Sequence, residues 1–219
     1  MGERDDAAMA ASAASLGAVD TPSRASGSDV ERTALKEWAV AIDALAHGTL
    51  IALVRKGGIR EHRAGFAVRH ERFLLYPTYF HENTSELAPA LRQALDEPAR
   101  VPLTGMVRVT HVAHVAHVWH VDELDRLRGA EGEHALAWPA VESRFHYRGT
   151  PGVHVVAVRV ARLRAPANVP EISRYRGCVS WVELAEDIDV AGAEPVLADA
   201  EFDRRLATLG HHLERGDIL

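Results

Sequence analysis

The residues best suited to chemistry lie between Arg55 and Glu82, in the stretch RKGGIREHRAGFAVRHERFLLYPTYFHE. Arg55, Lys56, Arg60 and Arg63 surround Gly57-Gly58. A double glycine permits positive φ and close approach of the backbone to a ligand, and cationic donors around such a turn can hold phosphate together with backbone N–H groups. The same residues could form a hairpin turn with solvated charges, and their spacing is not that of a Walker loop. Downstream, Tyr76, Thr78, Tyr79, Phe80, His81 and Glu82 flank Pro77. Their aromatic rings could stack on a base or pack as a proline-anchored corner against the core. His81 and Glu82 could also act as an acid/base pair. Arg144, His146, Tyr147 and Arg148 could add a second basic and aromatic wall. The expected ligand-binding surface therefore comprises Arg55, Lys56, Gly57, Gly58, Arg60, Tyr76, Thr78, Tyr79, His81, Glu82, Arg144 and Tyr147.

Other chemistries fit less well. His111, His114, His117 and His120 recur every third residue in THVAHVAHVWHV. On a regular strand, neighbouring histidines point to opposite faces, and the same-face pairs His111/His117 and His114/His120 lie roughly 20 Å apart, too far to share an ion. On a helix adjacent pairs could share a metal, but the surrounding valines disfavour that conformation. No metal site is assigned, and pH-sensitive packing or neutral half-buried imidazoles are the expectation. The PD-(D/E)xK nuclease pattern needs an acid two residues before a lysine, yet Ala34 precedes Lys36 and Val54 precedes Lys56. There is no Gly-x-Ser-x-Gly elbow, and Cys178 lies in apolar strand surroundings where a thiol is inert. The sequence indicates no cofactor. A small metal-assisted hydrolase or nuclease using His81 and Glu82 stands as the alternative to a binding module.

The chain of 219 residues is 47% hydrophobic, enough for a substantial core. No apolar run approaches the roughly 20 residues that span a bilayer, and acidic residues stand where a secretory signal would be basic, so a soluble, cytoplasmic protein is expected. A single cysteine excludes an internal disulfide and suits a reducing compartment. The net charge of -6 is uneven: residues 1–30 carry two Arg against five acids, residues 183–219 three Arg against ten, and residues 31–182 carry 20 basic against 16 acidic residues. DNA, RNA or a nucleotide would therefore meet the central region, and the acidic C-terminal helix could dock on a protein partner.

The elements that must position these residues follow from pattern. Residues 1–28 are Ala-, Ser- and Asp-rich and read as a disordered tail, leaving 29–219 as a single domain. Ser28-x-x-Glu31 matches a capping box, and Leu35, Trp38, Ile42 and Leu45 then recur at helical spacing until Gly48. Thr49 to Arg55 reads as a strand, Phe66 to Tyr76 as one bent strand or a pair ended by Pro77. Asn83-x-x-Glu86 should cap a second helix through Leu87, Leu91 and Leu95. Val101 to Val121 reads as a long, bulged strand, and Asp122 as the cap of a short helix holding Leu124 and Leu127. A short helix at Trp138 to Phe145, a strand from Gly152 to Leu163, a loop at Pro166 and Pro170, and a strand from Cys178 to Leu184 follow. Asp199 should cap a closing helix lined by Phe202, Leu206, Leu209 and Leu213. Strands not regularly alternated with helices imply an α+β fold with a mostly antiparallel sheet or small barrel.

ALKEWAVAIDAL, LVRKGGIRE, FLLYPTYFHE, SRFHYRG, RVARLRAPANVP, YRGCVSWVEL and PVLADAEF resemble the domain of unknown function 1802 family over about residues 33–215. RKGGI followed by LYPTYFHE is the most specific part. The family has no established activity. Some members are joined to a restriction-endonuclease-like module, which implies a role in DNA restriction and modification, although no such module is found in this chain. A vaguer similarity is to PUA-like barrels, including the ASCH group, in the passage from Ala46-His47-Gly48 into Leu53-Val54-Arg55-Lys56. That likeness implies a pocket for a nucleobase or modified nucleotide.

Overall fold

The computed structural model describes residues 29–56, 70–79, 83–96, 104–177 and 179–214. The expected tail at 1–28, the glycine turn itself and His81-Glu82 lie outside them. A curled sheet of seven strands carries the chain: β1 (Val30–Trp38), β2 (Ala52–Arg55), β3 (Arg72–Thr78), β4 (Met106–Val121), β5 (Val153–Pro170), β6 (Trp181–Asp189) and β7 (Glu194–Pro195). Three α-helices, α1 (Ala39–Ala46), α2 (Trp138–Phe145) and α3 (Asp199–Glu214), and several 3₁₀ segments surround it. The strand order is β2-β5-β4-β3-β1-β6, with β7 on β5, and only the β1–β3 pair is parallel. This is the expected α+β architecture with a mostly antiparallel, unclosed sheet.

The first element departs from its helical spacing. Residues 30–38 form β1, paired with β3 on one side and β6 on the other, and helix begins only at Ala39. Two neighbouring strands satisfy the backbone of 30–38, which outweighs a weak helical preference. The helix that follows is buried almost all round, through Val40, Ile42, Ala44 and Leu45. Gly48 stops it at φ +69°, and a Cβ there would stand 2.6 Å from Leu197 Cδ2.

The prolines also sit differently. Pro77 lies inside β3, opposite Glu37, where pairing to β4 has already ended at Leu74. With one side of the strand unpaired, its missing N–H costs no ladder bond. Pro166 and Pro170 belong to β5, not to a loop; Pro166 falls in an irregularity where Val109 pairs with Ala167 and His111 with Arg162. The Asn83 cap forms, its side chain accepting from Ser85 N, but it starts a 3₁₀ turn at Thr84–Glu86, and Pro89–Asp96 is also 3₁₀. The segment after β4 is a 3₁₀ helix, Leu124–Ala130, preceded by Glu123 without a side-chain cap bond. Asp199 is the first helical residue of α3, since Phe202 N donates to Ala198 O.

Apolar side chains fill both faces of the sheet. Leu35, Leu53, Phe73, Leu75, Val156 and Val158 pack with α1 on one face. Val54, Trp119, Val121 and Val155 pack against α2 and α3 through Phe145, Phe202, Leu209 and Leu213. Each such large side chain, fully buried, stabilises the fold by about 1.5–3 kcal/mol. Trp119 also donates its Nε1–H to Glu214 Oε1 at 2.8 Å, tying the end of α3 to β4.

The histidine run lies on β4, but not in strict alternation. Val115 pairs with Val158 and His117 with Ala157, so Ala116 is one extra residue, a β-bulge. The bulge resets the faces. Ala113, Val115 and Val118 share the α1 face, with His111 and His120 in phase with them, whereas His117 turns toward Trp119 and α3, its ring 4.4 Å from the indole. The expected same-face pairs His111/His117 and His114/His120 are therefore wrong. His111 is buried, and burial, with Arg162 and His47 nearby, holds its imidazole down at about 4.

Candidate functional site

Three strand ends and one helix converge on a half-buried charged cluster. In the sheet order β2 and β1 are separated by three strands, yet Arg55 Nη1 donates to Glu37 Oε2 at 2.7 Å, so the sheet curls until the end of β2 meets the end of β1. Glu37 points to the same face as Leu35 by strand alternation, and Arg55 to the same face as Leu53. Both side chains are only 12% exposed. Glu37 Oε1 accepts the Trp38 N–H, and Thr78 Oγ1, at the end of β3, donates to Glu37 O.

The helix α2 brings Arg144 into the same place. Its Nη1 donates to Val54 O at 3.2 Å, its guanidinium carbon stands 5.4 Å from the centre of the Trp38 ring, and Nη2 is 3.9 Å from Glu86 Oε2. Burial lowers the pKa of Arg144; the neighbouring Arg55 lowers it further, against the opposing pull of Glu37 and Glu86. Two like charges are thus held close together in a partly dry site, balanced by two carboxylates.

Lys56 is arranged differently. Its ammonium donates to the carbonyls of Phe145, Thr150 and Gly152, with 2.8 Å to Phe145 O and 2.7 Å to Gly152 O. A compact ammonium with three rotatable donors matches three converging carbonyls, which a planar guanidinium cannot. Lys56 therefore fastens the 145–152 segment, and with it Arg144 and Tyr147, to the end of β2. Lys36, the only other lysine, plays a similar part on β1, donating to Tyr175 O and Gly177 O.

The expected surface is partly assembled here. Arg55, Lys56, Thr78 and Arg144 come together, and Tyr147 is exposed on the segment that Lys56 holds. Tyr79 follows Thr78 and is half-buried. Arg55 was expected in the open around a turn; its ion pair with Glu37 draws it inward instead. Tyr76 does not join the surface. It is 2% exposed, packs edge-on against Tyr175 with ring centres 6.1 Å apart, and burial raises its phenol to about 12. Gly57, Gly58, Arg60, His81 and Glu82 lie outside the described residues. Among the described residues no group of three or more His, Cys, Asp or Glu is placed to hold a metal ion, and no helix is long and apolar enough to cross a membrane.

Sequence reasoning missed four contributors. Trp38 reads in the sequence as part of an apolar helix face, Glu37 is singled out by no pattern, and Glu86 reads as the partner in a capping box. His154 stood in a strand with nothing to single it out, yet its ring lies 4.9 Å from His120. The acids of α3 are already engaged: Asp199 and Asp203 with Arg159, Glu201 with Arg204, Glu214 with Trp119.

Comparison with known proteins adds the following. No curated protein matches the chain. Among solved structures it is similar to the ASCH protein of Zymomonas mobilis, at 14% identity over 81% of this chain and 94% of that one, with a TM-score of 0.39. A mutant of the same Zymomonas mobilis protein aligns at 14% identity over 83% and 97% of the two chains, with a TM-score of 0.37. Likeness of that degree does not bear on function. The sequence itself is decisive about kinship: residues 34–208 match the family described as Domain of unknown function (DUF1802), and the chain belongs to that family.

Proposed function

We propose that the protein is a non-catalytic module that binds nucleic acid or a nucleotide through the surface where β1, β2, β3 and α2 meet. The observation that carries this reading is the pair Arg55 and Arg144, held half-buried around Glu37 beside the Trp38 ring. Guanidinium groups crowded in a partly desolvated site are stabilised by a phosphate, which accepts their forked N–H donors. Trp38, Tyr79 and Tyr147 supply aromatic surface beside that charge, suited to stacking on bases. His81 and Glu82, on which the alternative hydrolase reading rests, lie outside the described residues. A setting in DNA restriction and modification rests on the family resemblance, so modified and unmodified DNA belong among the ligands to be tried.

Fluorescence anisotropy with single-stranded RNA, single-stranded DNA, and duplex DNA with and without modified bases tests the proposal. Binding should strengthen as salt is lowered, because phosphate contacts release counterions. Arg144→Gln and Tyr147→Ala should each weaken it. Absence of binding to every ligand at low salt would sink the reading.

A further inference from the structure

One row of side chains crosses the sheet beside the arginine pair. Arg55 of β2 lies directly opposite His154 of β5, and His154 directly opposite His120 of β4. Directly opposed residues on antiparallel strands share a face, so the three point the same way at the end of the sheet. The two imidazoles stand with ring centres 4.9 Å apart. His120 is exposed and His154 half-buried. Gly152 makes room beside them: at φ +117° a Cβ there would come within 3.1 Å of His120 Nε2.

Resting on the binding surface proposed above, we propose that the row Arg55–His154–His120 is a phosphate subsite whose occupation draws a proton onto His154. The charged groups around it are mostly basic. From β2 come Arg55 and Lys56, from α2 Arg144, from β1 the carboxylate of Glu37, already bonded to Arg55, and from the 3₁₀ turn at Thr84–Glu86 that of Glu86, 3.9 Å from Arg144. His117 of β4 takes no part, since the bulge turns it toward Glu214 at 3.8 Å. Without an anion, adding a proton to His154 places a cation beside the His120 ring and near the Lys56 ammonium. Burial, then His120 and Lys56, accordingly hold His154 at about 4. A phosphate reverses this balance, since it compensates the new charge and accepts the new N–H donor. If the bound anion restores His154 to its ordinary value, affinity rises about tenfold between pH 7.5 and pH 5.5.

The test measures binding of a rhodamine-labelled single-stranded RNA to the full chain at pH 7.5 and 5.5 and fixed ionic strength. Calorimetry in two buffers of different ionisation enthalpy counts the protons taken up. Tighter binding at pH 5.5 with proton uptake, both lost in His154→Gln, is the expected result. Equal affinity and no uptake in the parent, or unchanged pH dependence in His154→Gln, would overturn the subsite while leaving the binding surface intact. No binding at either pH would instead defeat the surface itself. A readout independent of that variant's folding is the histidine Cε1–H titration of the parent with and without inorganic pyrophosphate: the His154 midpoint should move upward on addition, and an unmoved midpoint counts against the subsite.

Discussion

Lowering the pH from 7 to 5 should destabilise the protein through His134, which is not among the candidate site residues. Its side chain is 1% exposed, and its Nδ1 accepts the Leu136 N–H at 3.1 Å. That bond fixes the neutral tautomer with the proton on Nε2, so a second proton must go onto Nδ1, breaking the bond and charging a buried ring. Burial accordingly holds the imidazole at about 4, with Glu131 opposing and Arg144 assisting. The unfolded chain titrates near 6.5 and takes up a proton that the native state refuses. The stability is therefore complete above pH 6.5 and is lost as pH falls toward 4. Linkage gives a loss of about 1.8 kcal/mol between pH 7 and pH 5, approaching ~3.4 kcal/mol below pH 4. His134→Asn supplies the control, because its side-chain oxygen can accept the same N–H without titrating. Urea midpoints at several pH values should show a loss between pH 7 and 5 that is smaller in the variant by that amount. An equal loss in both proteins, or a His134 Cε1–H resonance titrating near 6.5, would refute the reasoning.

Three other outcomes follow from particular contacts. Glu37→Gln leaves Arg55 and Arg144 without their shared carboxylate and should cost about 2–4 kcal/mol by chemical denaturation, since breaking a buried pair exposes an uncompensated charge; a loss below about 0.5 kcal/mol would mean the cluster is solvated. Lys56→Arg should fail to rescue Lys56→Met, both raising amide hydrogen exchange across 145–152, because the guanidinium fork does not fit three carbonyls. Tyr76→Phe removes a buried hydroxyl that has no hydrogen-bond partner among the described residues, so stability should hold or rise by about 1 kcal/mol. The parent should also lose stability as pH rises from 10 toward 12, where the unfolded phenol ionises first; the variant should lose less.

Much of the architecture is local enough to be legible in the sequence. α2 spans Trp138–Phe145 as its pattern indicates, β4 is the long bulged strand, and α3 buries Phe202, Leu209 and Leu213 on one face. Those elements are set by periodicity, caps and β-branched runs, properties of neighbouring residues. Arg55, Lys56 and Arg144 could be named from their types, because guanidinium and ammonium groups near glycines and aromatics imply few chemistries. Only the tertiary structure determined what those groups do. Whether residues 30–38 became strand or helix depended on β3 and β6, the partners that satisfy their backbone, and the partners come from distant sequence. One extra residue at Ala116 reversed the faces of the histidines, which no count of spacing reveals. The curl of the sheet brought Glu37 to Arg55, and register alone placed His154 between Arg55 and His120. Charge type is written residue by residue, whereas burial and pairing are properties of the folded chain, and here they decide which charges are tied into the fold.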